Sequence, residues 1–128
     1  MLKNNKMKKY LYASLMLVSV NSFADLAGLY HCTGKEVGTG TPFTCQMMIN
    51  KTGETYASTA TCDDDTAYSG TGIYDEKTHH LALVFINTKK AAETGVSLSH
   101  VKPDGTIVSL WTYLNRTTTG STDCKKQK

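Results

Sequence analysis

Turn residues punctuate this chain at short, even intervals, and that spacing constrains the fold more than any other feature. Gly38-Thr39-Gly40, Lys51-Thr52-Gly53, Asp63-Asp64-Asp65, Asp75-Glu76-Lys77, Lys89-Lys90, Pro103-Asp104-Gly105 and Thr119-Gly120 each separate runs of apolar and β-branched residues. Regular punctuation of this kind belongs to all-β sandwiches and barrels. It predicts eight strands, over residues 28–34, 43–50, 55–62, 66–74, 79–87, 95–102, 106–115 and 121–125. The best helical stretch, residues 89–93, is one turn at most. Eight short antiparallel strands with tight connections favour a single up-and-down barrel, because closure removes both open edges.

Alternation along the strands assigns the faces. Phe43, Cys45, Met47 and Ile49 share one face, and Tyr56, Ser58, Ala60 and Cys62 share another. Matching these faces sets Ile49 opposite Tyr56, with Thr52-Gly53 as a two-residue turn. Cys45 then lies beside Ala60, one diagonal step from Cys62. A three-residue turn would instead send the two cysteines to opposite faces.

Four cysteines allow three disulfide connectivities. Cys45–Cys62 is permitted by this register, and its complement, Cys32–Cys124, joins the first strand to the last, which are neighbours in a closed barrel. A loop that long contributes roughly 4–5 kcal/mol in the chain-entropy model, although measured disulfides more often contribute about 2–4. Pairing Cys32 with Cys45 would force Cys62 to reach Cys124 across strands that are not adjacent. The first pairing is preferred, and the register leaves the others open. No C-x-x-C pair is present, so structural disulfides are expected in place of a zinc site or a redox dithiol.

The N-terminus places this chemistry in a compartment. Lys3, Lys6, Lys8 and Lys9 precede an apolar run from Leu11 to Val20, followed by Ser22-Phe23-Ala24. This is the layout of a secretory signal peptide over residues 1–24, with either Met1 or Met7 as its start. The apolar run is shorter than the roughly 20 residues that span a bilayer, and no later stretch is apolar enough to be a membrane span. The expected product is one exported domain, residues 25–128, periplasmic or secreted, where cysteines oxidise. Removing four lysines and no acids turns the formal charge of +3 into ten basic against eleven acidic residues. No basic patch remains, so a nucleic-acid partner is not expected.

No residue pattern points to catalysis. There is no G-x-S-x-G elbow and no free cysteine with a basic partner, and nothing selects a carboxylate pair, so a non-enzymatic protein is expected. Gly70 and Gly72 share one strand face and either admit a ligand or relieve a bend. They are no phosphate loop, and no cofactor is implied. His79 and His80, adjacent in a predicted strand, point to opposite faces. With His31 and His100 isolated, no metal site is expected. Asp63-Asp64-Asp65 lacks the spacing of a calcium loop and reads as a solvated turn. Trp111, the only tryptophan, shares a face with Ile107, Ser109 and Tyr113. It either packs a filled core or floors a cavity, and the core reading is preferred.

Two resemblances follow from short motifs. Gly28-Leu29-Tyr30, Gly70-Thr71-Gly72, Ser109-Leu110-Trp111-Thr112 and Gly120-Ser121-Thr122 resemble the sparse glycine–aromatic pattern of avidin-like and lipocalin-like barrels. No ligand-binding residue of those families maps onto this chain position by position, so biotin binding is not implied. Tyr30-His31-Cys32 and Asp123-Cys124 look like the small periplasmic inhibitors of c-type lysozyme. In that family a disulfide ties the ends of an eight-stranded barrel, which supports Cys32–Cys124; its central inhibitory motif has no match here. The leading expectation is a calycin-like binding protein. A small apolar or amphipathic ligand would lie in the barrel mouth against Tyr68, Phe85, Trp111 and Tyr113. The rival is a module that binds an extracytoplasmic protein, or inhibits a hydrolase such as lysozyme, through its loops. A hollow interior separates the two, because eight-stranded barrels are either filled or hold one small ligand.

Overall fold

A computed structural model describes residues 25–128; the export segment expected over residues 1–24 lies outside the described residues. Eight strands follow one another: β1 (Gly28–Lys35), β2 (Pro42–Thr52), β3 (Thr55–Cys62), β4 (Ala67–Asp75), β5 (His80–Asn87), β6 (Lys90–Val101), β7 (Ile107–Tyr113) and β8 (Gly120–Lys126). Each is antiparallel to the next, and β8 pairs with β1, so the meander closes into a barrel. No helix interrupts it among the described residues.

The turns explain the tight connections. The carboxylates of Asp64, Asp75 and Asp104 and the amide oxygen of Asn87 each accept the backbone N–H two residues on, at 2.9–3.1 Å. These are Asx turns, in which the side chain replaces a backbone acceptor and fixes the reversal. Thr66 also donates its hydroxyl to Asp64 at 2.6 Å. The Asp63–Asp65 cluster therefore serves the β3–β4 hairpin, with the Asp63 carboxylate accepting from Thr44.

Three details differ from the sequence reading. First, Ile49 pairs with Ser58, not Tyr56, so the β2–β3 register is displaced by two residues. Gly53, with φ of 72°, takes the first central turn position, and Thr52 stays in the ladder opposite Thr55. A positive φ first and a negative φ second suit a type II′ turn, which matches the twist of the strands. A displacement of two preserves the inward and outward sets, because side chains alternate with period two. Second, β6 begins at Lys90 and not at residue 95, so of the one-turn helical candidate over residues 89–93 Lys89 is turn and the rest is strand. The register slips between Ile86 and Asn87, where Asn87 pairs with Lys90. Third, His79 lies in the β4–β5 turn at φ 59° and not within a strand. Its Nδ1 lies 3.0 Å from the Tyr74 hydroxyl, while His80 stacks beside His100 on the outer surface at 5.3 Å between ring centres.

Both disulfides form inside the barrel, Cys32–Cys124 across the closure between β1 and β8, and Cys45–Cys62 across the β2–β3 hairpin. Cys62, Cys45, Cys32 and Cys124 are direct partners along one row over four adjacent strands. This row joins the apolar cluster that fills one end of the barrel. Tyr30, Ile49, Leu81, Val101 and Ile107 are each at most 3 % exposed there, and Leu26 covers them from the segment before β1. The Tyr30 hydroxyl donates to the Leu26 carbonyl at 2.7 Å, so this buried polar group is satisfied and the covering segment is held down. Tyr56 and Tyr74 pack edge to face in the same region, at 6.2 Å between ring centres.

Candidate functional site

The other half of the barrel is hollow. A cavity of about 140 Å³ runs from Ser58, Ser99 and Ile107 at mid-barrel to Glu36, Asp64 and Thr66 at the end where β1, β3, β5 and β7 finish. The sequence accounts for the space. Where β2 and β7 direct Phe43, Met47 and Trp111 inward, β3 offers Ala60, and β6 offers Ser97 and Ser99. Small residues on two walls leave unfilled what large residues on the others do not reach.

Gly70 and Gly72 point inward but create no part of this space. A Cβ on Gly70 would lie 2.6 Å from the Ser58 hydroxyl and 2.8 Å from the Val84 carbonyl oxygen. A Cβ on Gly72 would lie 3.0 Å from both Leu81 and the Ala82 carbonyl oxygen. The close approach these glycines permit is that of the barrel's own neighbouring strands.

The four residues singled out for a ligand converge on the cavity. Tyr68, Phe85, Trp111 and Tyr113 all line it, from β4, β5 and β7. Phe85 lies at their centre, with Tyr68, Trp111 and Tyr113 at 5.8, 6.0 and 6.1 Å between ring centres and steeply inclined to it. Trp111 and Tyr113 are 5.2 Å apart, and Phe43 completes the group 5.9 Å from Trp111. Edge-to-face pairs at these separations are favourable and hold one another's orientation. Trp111 is thus both core and cavity wall. Among the described residues its indole N–H is buried without a hydrogen-bond partner, an unusual state for a polar group.

The mouth is acidic, and one of its residues escaped the sequence reading. Glu93 lies in the stretch of β6 extended by the register slip, and it accepts a hydrogen bond from the Tyr68 hydroxyl at 3.0 Å. The Tyr68 and Tyr113 hydroxyls lie 3.2 Å apart. Among the described residues the Glu93 carboxylate has only a distant cation, Lys90 at 4.0 Å, whose side chain is 69 % exposed. An exposed pair of this kind contributes little.

The titration directions describe the same field. Glu36 is held above the ordinary carboxylate range by burial, then by the charges of Glu93 and Asp64. Tyr113 is pushed up by burial and by Glu36, Glu93 and Asp64. Tyr68 is pushed up by burial, by its bond to Tyr113 and by Glu93. Asp64 is instead held down by the two hydrogen bonds from Thr66, so it stays ionised. Among the described residues, no lysine or arginine lines the cavity.

Among the described residues, no group of three or more His, Cys, Asp or Glu side chains is placed to hold a metal ion. The site therefore offers shape, aromatic faces, hydroxyls and negative potential. Comparison with known proteins found no matching family, no matching curated protein and no matching solved structure, so any functional assignment rests on this geometry.

Proposed function

We propose that this chain is an exported, non-enzymatic binding protein that holds one small ligand inside its barrel. The hollow, aromatic-lined half of the barrel is the observation that carries this reading. A cavity of about 140 Å³ is close to the roughly 150 Å³ that accommodates a benzene ring in a protein interior. It is well below the roughly 300 Å³ at which drug-sized pockets begin. The ligand is therefore a single ring or a short branched chain, lying against Phe85, Trp111 and Ala60.

Its polar end faces the tyrosine hydroxyls and the carboxylates of Glu36, Asp64 and Glu93. An anionic head would meet unbalanced negative charge there. The proposed ligand is accordingly neutral or positively charged at that end, since aromatic faces and carboxylates both favour a cation. The two disulfides are compatible with an oxidising compartment outside the cytoplasm, and with the signal-like N-terminus they support a periplasmic or secreted protein.

Native mass spectrometry of protein isolated from its own host tests the proposal. A co-purifying small molecule, lost on unfolding and restored on refolding with it, is the expected result. An apo mass only, together with no response of Trp111 fluorescence to neutral or cationic single-ring compounds, would refute it.

A further inference from the structure

The outer wall of the barrel is divided. Over β4 to β7, every outward residue among positions 69–73, 82–86, 94–98 and 108–112 is uncharged. Ile73, Ala82, Leu98 and Leu110 are successive cross-strand partners and form one apolar row across four strands. Val84 and Val96 face each other in the adjoining row. These side chains are not half-hidden: Ile73 is 68 % exposed, Leu98 60 %, Leu110 59 % and Val84 58 %. The opposite wall presents His31, Lys35, Gln46, Asn50, Asp123 and Lys125 to solvent.

We infer that the outer face of β4 to β7 is a self-association surface whose occupant is a second copy of this chain. The area supports it. The outward apolar side chains of these strands expose roughly 700 Å², more than the 300–600 Å² that is the largest apolar patch of most monomers and close to the roughly 800 Å² each partner gives to a stable interface. The chemistry supports it as well. A face without charges can meet its own copy without desolvating an ion or opposing like charges. Two such sheet faces pack in the manner of a sandwich, about 10 Å apart, and a two-fold axis makes the contact self-complementary. The face is the side of the barrel and the cavity opens at its end, so association leaves the mouth free. This inference stands whether or not the cavity holds a ligand.

Sedimentation velocity and light scattering on the exported, oxidised protein over a micromolar concentration range test it. The expected result is a species of twice the chain mass that dissociates on dilution. Leu98→Glu and, separately, Val84→Lys should give monomers with an unchanged circular dichroism spectrum; if one of them fails to fold, the other decides. Met48→Lys, on the opposite wall, should leave the dimer intact. A monomer at every concentration overturns the inference, as does a dimer that persists in both folded variants. Loss of the dimer in Met48→Lys alone, or a monomer that instead co-sediments with neutral phosphatidylcholine vesicles, also overturns it.

Discussion

Replacing Ala60 with Leu measures whether the barrel interior is empty. Ala60 faces inward on β3, opposite Met47 and Tyr68, and lines the cavity. The substitution adds three carbons to a space large enough for a six-carbon ring. Burying them contributes about 0.8 kcal/mol each, or about 2.4 kcal/mol, and fixing the leucine rotamer costs about 0.5–1 kcal/mol. The net expectation is a stabilisation of about 1.5 kcal/mol. For a domain of this size, equilibrium urea unfolding followed by circular dichroism should show a midpoint raised by roughly 0.5–1.5 M with an unchanged slope. If the interior were already packed, the same side chain would be forced off its rotamer and would destabilise the protein by about 1–3 kcal/mol. A fall in midpoint of that size refutes the hollow-barrel reasoning. The same variant should also lose any Trp111 fluorescence response to single-ring compounds, because the leucine occupies their place.

The two disulfides should differ in their effect. With sequence separations of 92 and 17, removing Cys32–Cys124 should cost about 1.5 kcal/mol more than removing Cys45–Cys62 when each is replaced by a serine pair and compared by urea unfolding. Equal losses would show that loop closure is not what the longer bond supplies. Tyr30, pushed up to about 12 mainly by burial, stays protonated in the fold while the unfolded chain ionises near pH 10. Stability present below pH 10 should therefore fall between pH 10 and 12, by on the order of 2 kcal/mol. Tyr30→Phe should flatten that part of the slope and, at pH 7, lose about 1 kcal/mol with the bond to Leu26. A profile no flatter in Tyr30→Phe would assign the loss to other groups. Glu36→Gln should raise stability at pH 7 relative to pH 4. The carboxyl is held up in the fold, so the wild-type contribution is complete below the unfolded pKa and is lost as pH rises through the folded one. A variant less stable than wild type at pH 7 would contradict the crowding of charge at the mouth.

The strands, their faces and the closure were legible because they depend on local patterns. Asp and Gly mark the hairpins, and the alternation of Phe43, Cys45, Met47 and Ile49 marks an inner face. Parity survived even where the register did not: the β2–β3 ladder moved by two residues, and Cys45, expected one diagonal step from Cys62 on the same face, lies directly opposite it. The register itself was not legible, because Thr52-Gly53 and Gly53-Glu54 are both acceptable turns until Gly53 takes its positive φ. The gathering of Tyr68, Phe85, Trp111 and Tyr113 followed from parity alone. Glu93 was missed because its position depends on the slip after Ile86, and in sequence it ended the best helical stretch, outside any expected strand. The apolar outer wall was missed for a related reason. Ile73, Ala82, Leu98 and Leu110 are scattered along the chain, and only the pairing of four strands aligns them.

A crystal of the exported protein pressurised with xenon would show whether the barrel is hollow, because xenon occupies apolar protein cavities of this size without needing a specific ligand. A xenon atom bound between Ala60, Phe85 and Trp111 is the expected result. No xenon there, with those side chains closed onto one another across the barrel, would contradict it.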